Sequence, residues 1–215
     1  MKKISGIFFV LLAFLCLTAP AIGTAALITF NLSDAGTGSI SFAGGSSSLI
    51  GSGIGVSNVV GMGTPLNNEV VVPLDGFTLS FTTGAFDSST GTFGPGGSIL
   101  VSNGATDLLS GGFGYAEVVP VGPTFRFVGA SFFDTLHPAV LDYFGLGGFA
   151  GVYLNGNLNL SFDAAGLPPG AFSSTMVYSG DLSNDISVVP EPGAMVLFGS
   201  YLACMTGLGL RRFRV

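Results

Sequence analysis

Between Leu27 and Val188 the chain holds twenty-nine glycines, many clustered as Gly44-Gly45, Gly51-Ser52-Gly53, Gly94-Pro95-Gly96-Gly97 and Gly111-Gly112. A glycine in a helix interior costs roughly 1 kcal/mol relative to alanine, whereas turns use its freedom at positive φ. Few stretches are left in which a helix can grow. The segments between clusters have a period of two: Ile28, Phe30 and Leu32 alternate with Thr29 and Asn31, Phe77, Leu79 and Phe81 with Thr78 and Ser80, and Leu158, Leu160 and Phe162 with Asn159 and Ser161. Alternation bounded by glycine predicts half-buried antiparallel strands.

Further strands are expected at Ser39 to Phe42, Gly53 to Val60, Ser98 to Ser102, Leu108 to Val119, Thr124 to Phe132 and Ser174 to Ser179. Pro138 to Phe144 allows a helical turn or two. Roughly nine to eleven strands predict an all-β domain, an antiparallel β-sandwich first and a closed β-barrel second, with phenylalanines in the interior.

The two ends of the chain read differently. Lys2 and Lys3, the apolar run Ile4 to Leu17 and small residues up to Ala26 follow the order of a secretory signal peptide. Cleavage is expected after Ala25 or Ala26, with Ala21 as a second position. Cys16 is preceded by Phe14 and Leu15, which does not make a lipidation site. The predicted layout is a signal peptide at 1–25, an acidic glycine-rich domain at 26–188 and a tail at 189–215.

In that tail, Gly193 to Leu210 carries no charge. Eighteen helical residues at about 1.5 Å rise give roughly 27 Å, close to the thickness of the bilayer's hydrocarbon layer. Arg211, Arg212 and Arg214 follow at once and predict a cytoplasmic stop. Ahead of the span, Pro190 and Pro192 fix their own φ and keep Val189 and Glu191 out of the α region. Within it, Gly199, Ala203 and Gly207 form a small-residue face against which another helix can pack closely.

The series Val189-Pro190-Glu191-Pro192, apolar helix and arginine cluster resembles the PEP-CTERM sorting signal of Gram-negative bacteria that make extracellular polysaccharide. The resemblance is confined to the tail. It implies an exosortase that recognises the tail at the inner membrane, cuts near the motif, and releases the domain or attaches it at the cell surface.

Composition narrows what the domain can do. Cys16 and Cys204 both lie in the terminal segments, so the domain has no disulfide framework. From Leu27 to Val188 there are eleven acids and one base, Arg126, which disfavours nucleic acid and anionic membrane surfaces as partners. The single histidine, His137, sits in Leu136-His137-Pro138 without a nucleophile motif, and there is no tryptophan to stack on a sugar. Gly94 to Gly97 precedes Ser98-Ile99-Leu100-Val101, so it reads as a tight hairpin and not as a phosphate loop. Asp181, Asn184 and Asp185 are the best local oxygen cluster for calcium, but they lack the spacing of a known calcium loop.

These residues predict no cofactor and no enzyme. The expected role is an exported cell-surface or extracellular-matrix protein whose partners are the secretion machinery and an exosortase. A polysaccharide-binding module of the envelope is the first alternative, and a secreted hydrolase the second.

Overall fold

A computed structural model describes residues 25–32 and 37–187. Twelve strands follow in order: β1 (Ala25–Leu32), β2 (Ser39–Phe42), β3 (Ser48–Met62), β4 (Val71–Pro73), β5 (Thr78–Asp87), β6 (Thr92–Phe93), β7 (Gly96–Ser102), β8 (Asp107–Phe113), β9 (Glu117–Val121), β10 (Thr124–Leu136), β11 (Leu154–Ala164) and β12 (Phe172–Ser187). A short helix, α1 (Pro138–Tyr143), and a 3-10 turn (Gly147–Phe149) lie between β10 and β11. The predicted signal peptide, apart from Ala25, and the predicted sorting tail fall outside the described residues.

The strands close on themselves. Each pairs antiparallel with the next around the ring β2, β3, β5, β7, β8, β10, β11, β12, and β12 returns to β2 through Phe172↔Phe42. The long β3 makes closure possible. On one side it pairs first with β2, Phe42↔Leu49 to Ser39↔Ser52, and then with β1, Leu32↔Val56 to Leu27↔Met62. On its other side it pairs with β5 and β4. β1 also reaches β12, so β1 and β2 share one position in the wall.

The result is an eight-stranded antiparallel barrel, which corrects the two-sheet sandwich placed first from the sequence. A closed wall leaves no open edge along the ring, the exposed feature that invites pairing with other chains. Gly94 to Gly97 does not form the predicted hairpin either. β6 and β7 both pair with β5, so the segment is an irregularity along one strand path.

Most inward positions are apolar. Phe81 and Phe127 stack at 4.8 Å, and Phe113 meets both rings edge-on at 5.8 and 5.9 Å. Toward the opposite end, Phe42 contacts Phe86, Phe93 and Phe172, and Phe172 stacks on Phe162. Phe30, Phe93, Phe127, Phe132 and Phe162 are fully buried. Outward positions are polar: Asn155, Asn157, Asn159 and Ser161 alternate along β11 with buried Leu154, Gly156, Leu158 and Leu160. This polarity is the reverse of a membrane-crossing barrel, whose lipid face is apolar. Among the described residues no helix is long and apolar enough to cross a membrane.

One end of the barrel is capped by α1, separated from the end of β10 by His137 alone. His137 caps the helix, its Nδ1 accepting the backbone N–H of Ala139 at 3.2 Å, with Pro138 at the first turn. Val140, Leu141 and Phe144 turn inward. The Phe144 ring fits over Gly61, where an added Cβ would lie 2.6 Å from it. The loop after β3 is tied to the same cap, since Leu66 N–H donates to Phe144 C=O at 3.1 Å and Asn67 Nδ2 to Tyr143 C=O at 2.7 Å.

Candidate functional site

β10, β11 and β12 form the part of the wall where polar side chains concentrate, with one set outside and one inside. Their register sets Arg126 opposite Ser161, Ser161 opposite Ser179, and Asn159 opposite Asp181. All these residues face out, Arg126 being exposed while Phe127 beside it is buried, the orientation that period two predicts. With Gly180 they line a shallow surface groove of about 290 Å³. Gly180 faces inward, where an added Cβ would meet the Asn159 carbonyl oxygen at 2.0 Å. The groove therefore offers a guanidinium, a carboxylate, an amide and two hydroxyls on a rigid surface, a set suited to hydrogen bonding with a polar ligand.

The inner set is smaller. Asp134 on β10 lies opposite Gly111 on β8 and Leu154 on β11, and Asn184 on β12 lies opposite Gly156. Both side chains are fully buried, and neither carboxylate oxygen of Asp134 nor either polar atom of Asn184 has a hydrogen-bond partner of ordinary geometry. Burial pushes the Asp134 carboxyl up to about 7, while the Asn184 side chain beside it acts more weakly in the opposite direction. Buried Thr83 shows the usual arrangement instead: its hydroxyl accepts Leu49 N–H and donates to Gly84 C=O, both at 2.9 Å.

The calcium candidate does not assemble. Asp181, Asn184 and Asp185 lie on β12, not in a loop, and alternate across it. Asp181 lines the outer groove, Asp185 is exposed, and Asn184 is buried inside the barrel. Three side chains on opposite faces of one strand cannot converge on one ion. His137 has its Nδ1 engaged as the helix cap.

The expected sorting residues Val189, Pro190, Glu191 and Pro192, the expected small-residue face Gly199, Ala203 and Gly207, and the expected stop residues Arg211, Arg212 and Arg214 lie outside the described residues. Sequence reasoning missed Asp134, although the signal was present: Phe132, Asp134 and Leu136 share one parity on β10, which puts the carboxylate on the apolar face. Compared with known proteins, the chain matches no family model, no curated protein and no solved structure.

Proposed function

We propose that this chain is an exported cell-surface or extracellular-matrix protein in which the acidic barrel is the cargo and the tail is a PEP-CTERM signal read by an exosortase. The observation that carries the reading is a coincidence of limits. The compact body runs from Ala25 to Ile186, and the motif begins three residues later at Val189. The cut expected near the motif thus falls beyond the last strand, and the cut expected after Ala25 or Ala26 falls at the first residues of β1, ahead of its first pairing at Leu27↔Met62. A closed, polar-surfaced barrel that needs no disulfide also suits a protein that crosses a membrane before folding.

Intact-mass measurement of the protein secreted by a host that carries an exosortase tests this. The expected species has lost residues up to Ala25 or Ala26 and those beyond the motif, with or without an attached group. A secreted species that keeps 189–215 overturns the reading.

A second reading, polysaccharide binding, is favoured by the outer groove. Its mixed donors and acceptors match the hydroxyls of a sugar chain, and the acidic surface selects against a polyanionic one. Retention on an immobilised neutral polysaccharide that is lost in Asn159→Ala and Asp181→Ala is the expected result. Unchanged retention, or none in the parent, excludes the groove as the binding surface.

A further inference from the structure

The topology gathers both ends of the body and a set of exposed apolar side chains at the capped end of the barrel. β1 begins there, with Leu27 opposite Met62. β12 finishes there, with Asp185 opposite Asn155, two residues after Tyr153. Around these two exits stand Met62 at the end of β3, Leu66 on the loop after it, Tyr143 on α1, and Val152 and Tyr153 leading into β11, exposed by 49, 56, 40, 46 and 74 %. Hydrogen bonds tie the loop that carries Leu66 to α1, and Val152 to the 3-10 turn. Leu66 and Asn67 bond to Phe144 and Tyr143, and Val152 N–H donates to Phe149 C=O at 3.0 Å. Ile50, Tyr115 and Val121, also exposed, lie on the uncapped half of the barrel. An apolar set grouped on one face marks an interaction surface more than single exposed residues do.

We infer that this end of the barrel rests on the bilayer interface while the precursor is anchored by its tail. The inference builds on the sorting reading and adds the lipid surface as a partner of the folded body. Only residues 188–192 separate Ser187 from the uncharged stretch at Gly193. Even fully extended, that link reaches about 20 Å. The capped end is therefore the part of the body held nearest the membrane. Tyr143 and Tyr153 are amphipathic rings of the kind that settle at headgroup level, with Leu66, Met62 and Val152 beside them to enter the acyl boundary. Glu69, Asp142 and Asp185 at the same end select a zwitterionic surface over an anionic one.

The chain contains no tryptophan, so Tyr153→Trp introduces a single indole at an exposed position. The full-length variant is reconstituted into phosphatidylcholine vesicles, with and without brominated acyl chains. The indole should lose most of its emission in the brominated vesicles, and Leu66→Ser in the same chain should restore part of it. Tyr115→Trp, beside the Ala116 to Phe93 bridge at the other end, should be unaffected.

Flotation after alkaline washing separates failure of the tail reading from failure of the inference. A chain that does not stay with the vesicles removes both together. A Tyr153→Trp chain that stays inserted but shows no quenching by bromolipid overturns the inference alone. So does an indole at this position that is shielded from aqueous acrylamide yet not quenched by bromolipid, which would mark a protein partner or a second copy on this face.

Discussion

Asp134 on β10 and Asn184 on β12 stand side by side in the barrel interior, with β11 between their strands, both fully buried and without a hydrogen bond of ordinary geometry. A carboxyl in that position favours its neutral form, and burial raises it to about 7 from its ordinary 3.8. Its folded value exceeds its unfolded one, so between about pH 4 and pH 7 the folded protein holds the extra proton. Stability should therefore fall as pH rises through that window and level off above it, by at most about 4 kcal/mol. Asp134→Asn cannot ionise. Urea unfolding at about pH 4 and about pH 8 should show a marked loss for the parent and little for the variant, with the variant the more stable at the higher pH. Parallel pH profiles would contradict the assignment.

The aromatic column makes a sharper packing prediction. Phe81 is buried and stacked on Phe127, while Ser80 faces out and accepts Gly53 N–H at 3.3 Å. Phe81→Ala should cost about 3–5 kcal/mol through lost contacts and a cavity. Ser80→Ala removes one long, partly exposed hydrogen bond and should cost about 1 kcal/mol or less. Chemical denaturation of both variants tests the register of β5 directly, since a one-residue slip would reverse the order.

The alternation that placed Ile28, Phe30 and Leu32 inside, and Leu158, Leu160 and Phe162 likewise, was legible because each strand has one wet and one dry face. Two things were not. Closure is a long-range property: β3 meets β2, β1, β5 and β4, and no local pattern encodes those partners. The last half of β12 reads as a polar loop because Asn184 occupies an inward position between Leu182 and Ile186, which breaks the apolar alternation. That one residue hid the rest of the strand and belongs to the unpaired inner set. The single predicted strand from Leu108 to Val119 is in fact β8 and β9, separated by Gly114 to Ala116, with each lying against a different part of β10.

Glycine has more than one role in this wall, and a pair of substitutions separates two of them. Gly156 faces inward beneath the Phe132 ring, where an added Cβ would come within 2.0 Å of ring carbons. Gly148, in the 3-10 turn, has open space around it. Gly156→Ala should destabilise by about 1–3 kcal/mol through overpacking, since Phe132 is fully buried and must move. Gly148→Ala should change stability by no more than about 0.5 kcal/mol, as at a surface site. Thermal or urea midpoints that move equally for both would show that Phe132 does not occupy this position.

The tail offers the most direct test of the proposed function, which requires its parts to act in sequence: the span would stop with its arginines inside, and the motif would then reach the exosortase at the outer face. Replacing Pro190 and Pro192 with alanine and Glu191 with glutamine keeps the anchor but removes the restricted backbone and its charge. Uncleaved precursor should then accumulate in the membrane. Neutral residues at Arg211, Arg212 and Arg214 remove the topological signal instead, so a folded barrel should be mis-sorted. Leucine at Gly199, Ala203 and Gly207 keeps the segment apolar but blocks close helix approach, and should slow processing if that face docks on the enzyme. Fractionation and immunoblotting of the three variants, in hosts with and without the exosortase, distinguish these defects. Processing of the motif variant like the parent would reduce the tail to an anchor, and the barrel would have to be explained without a sorting enzyme.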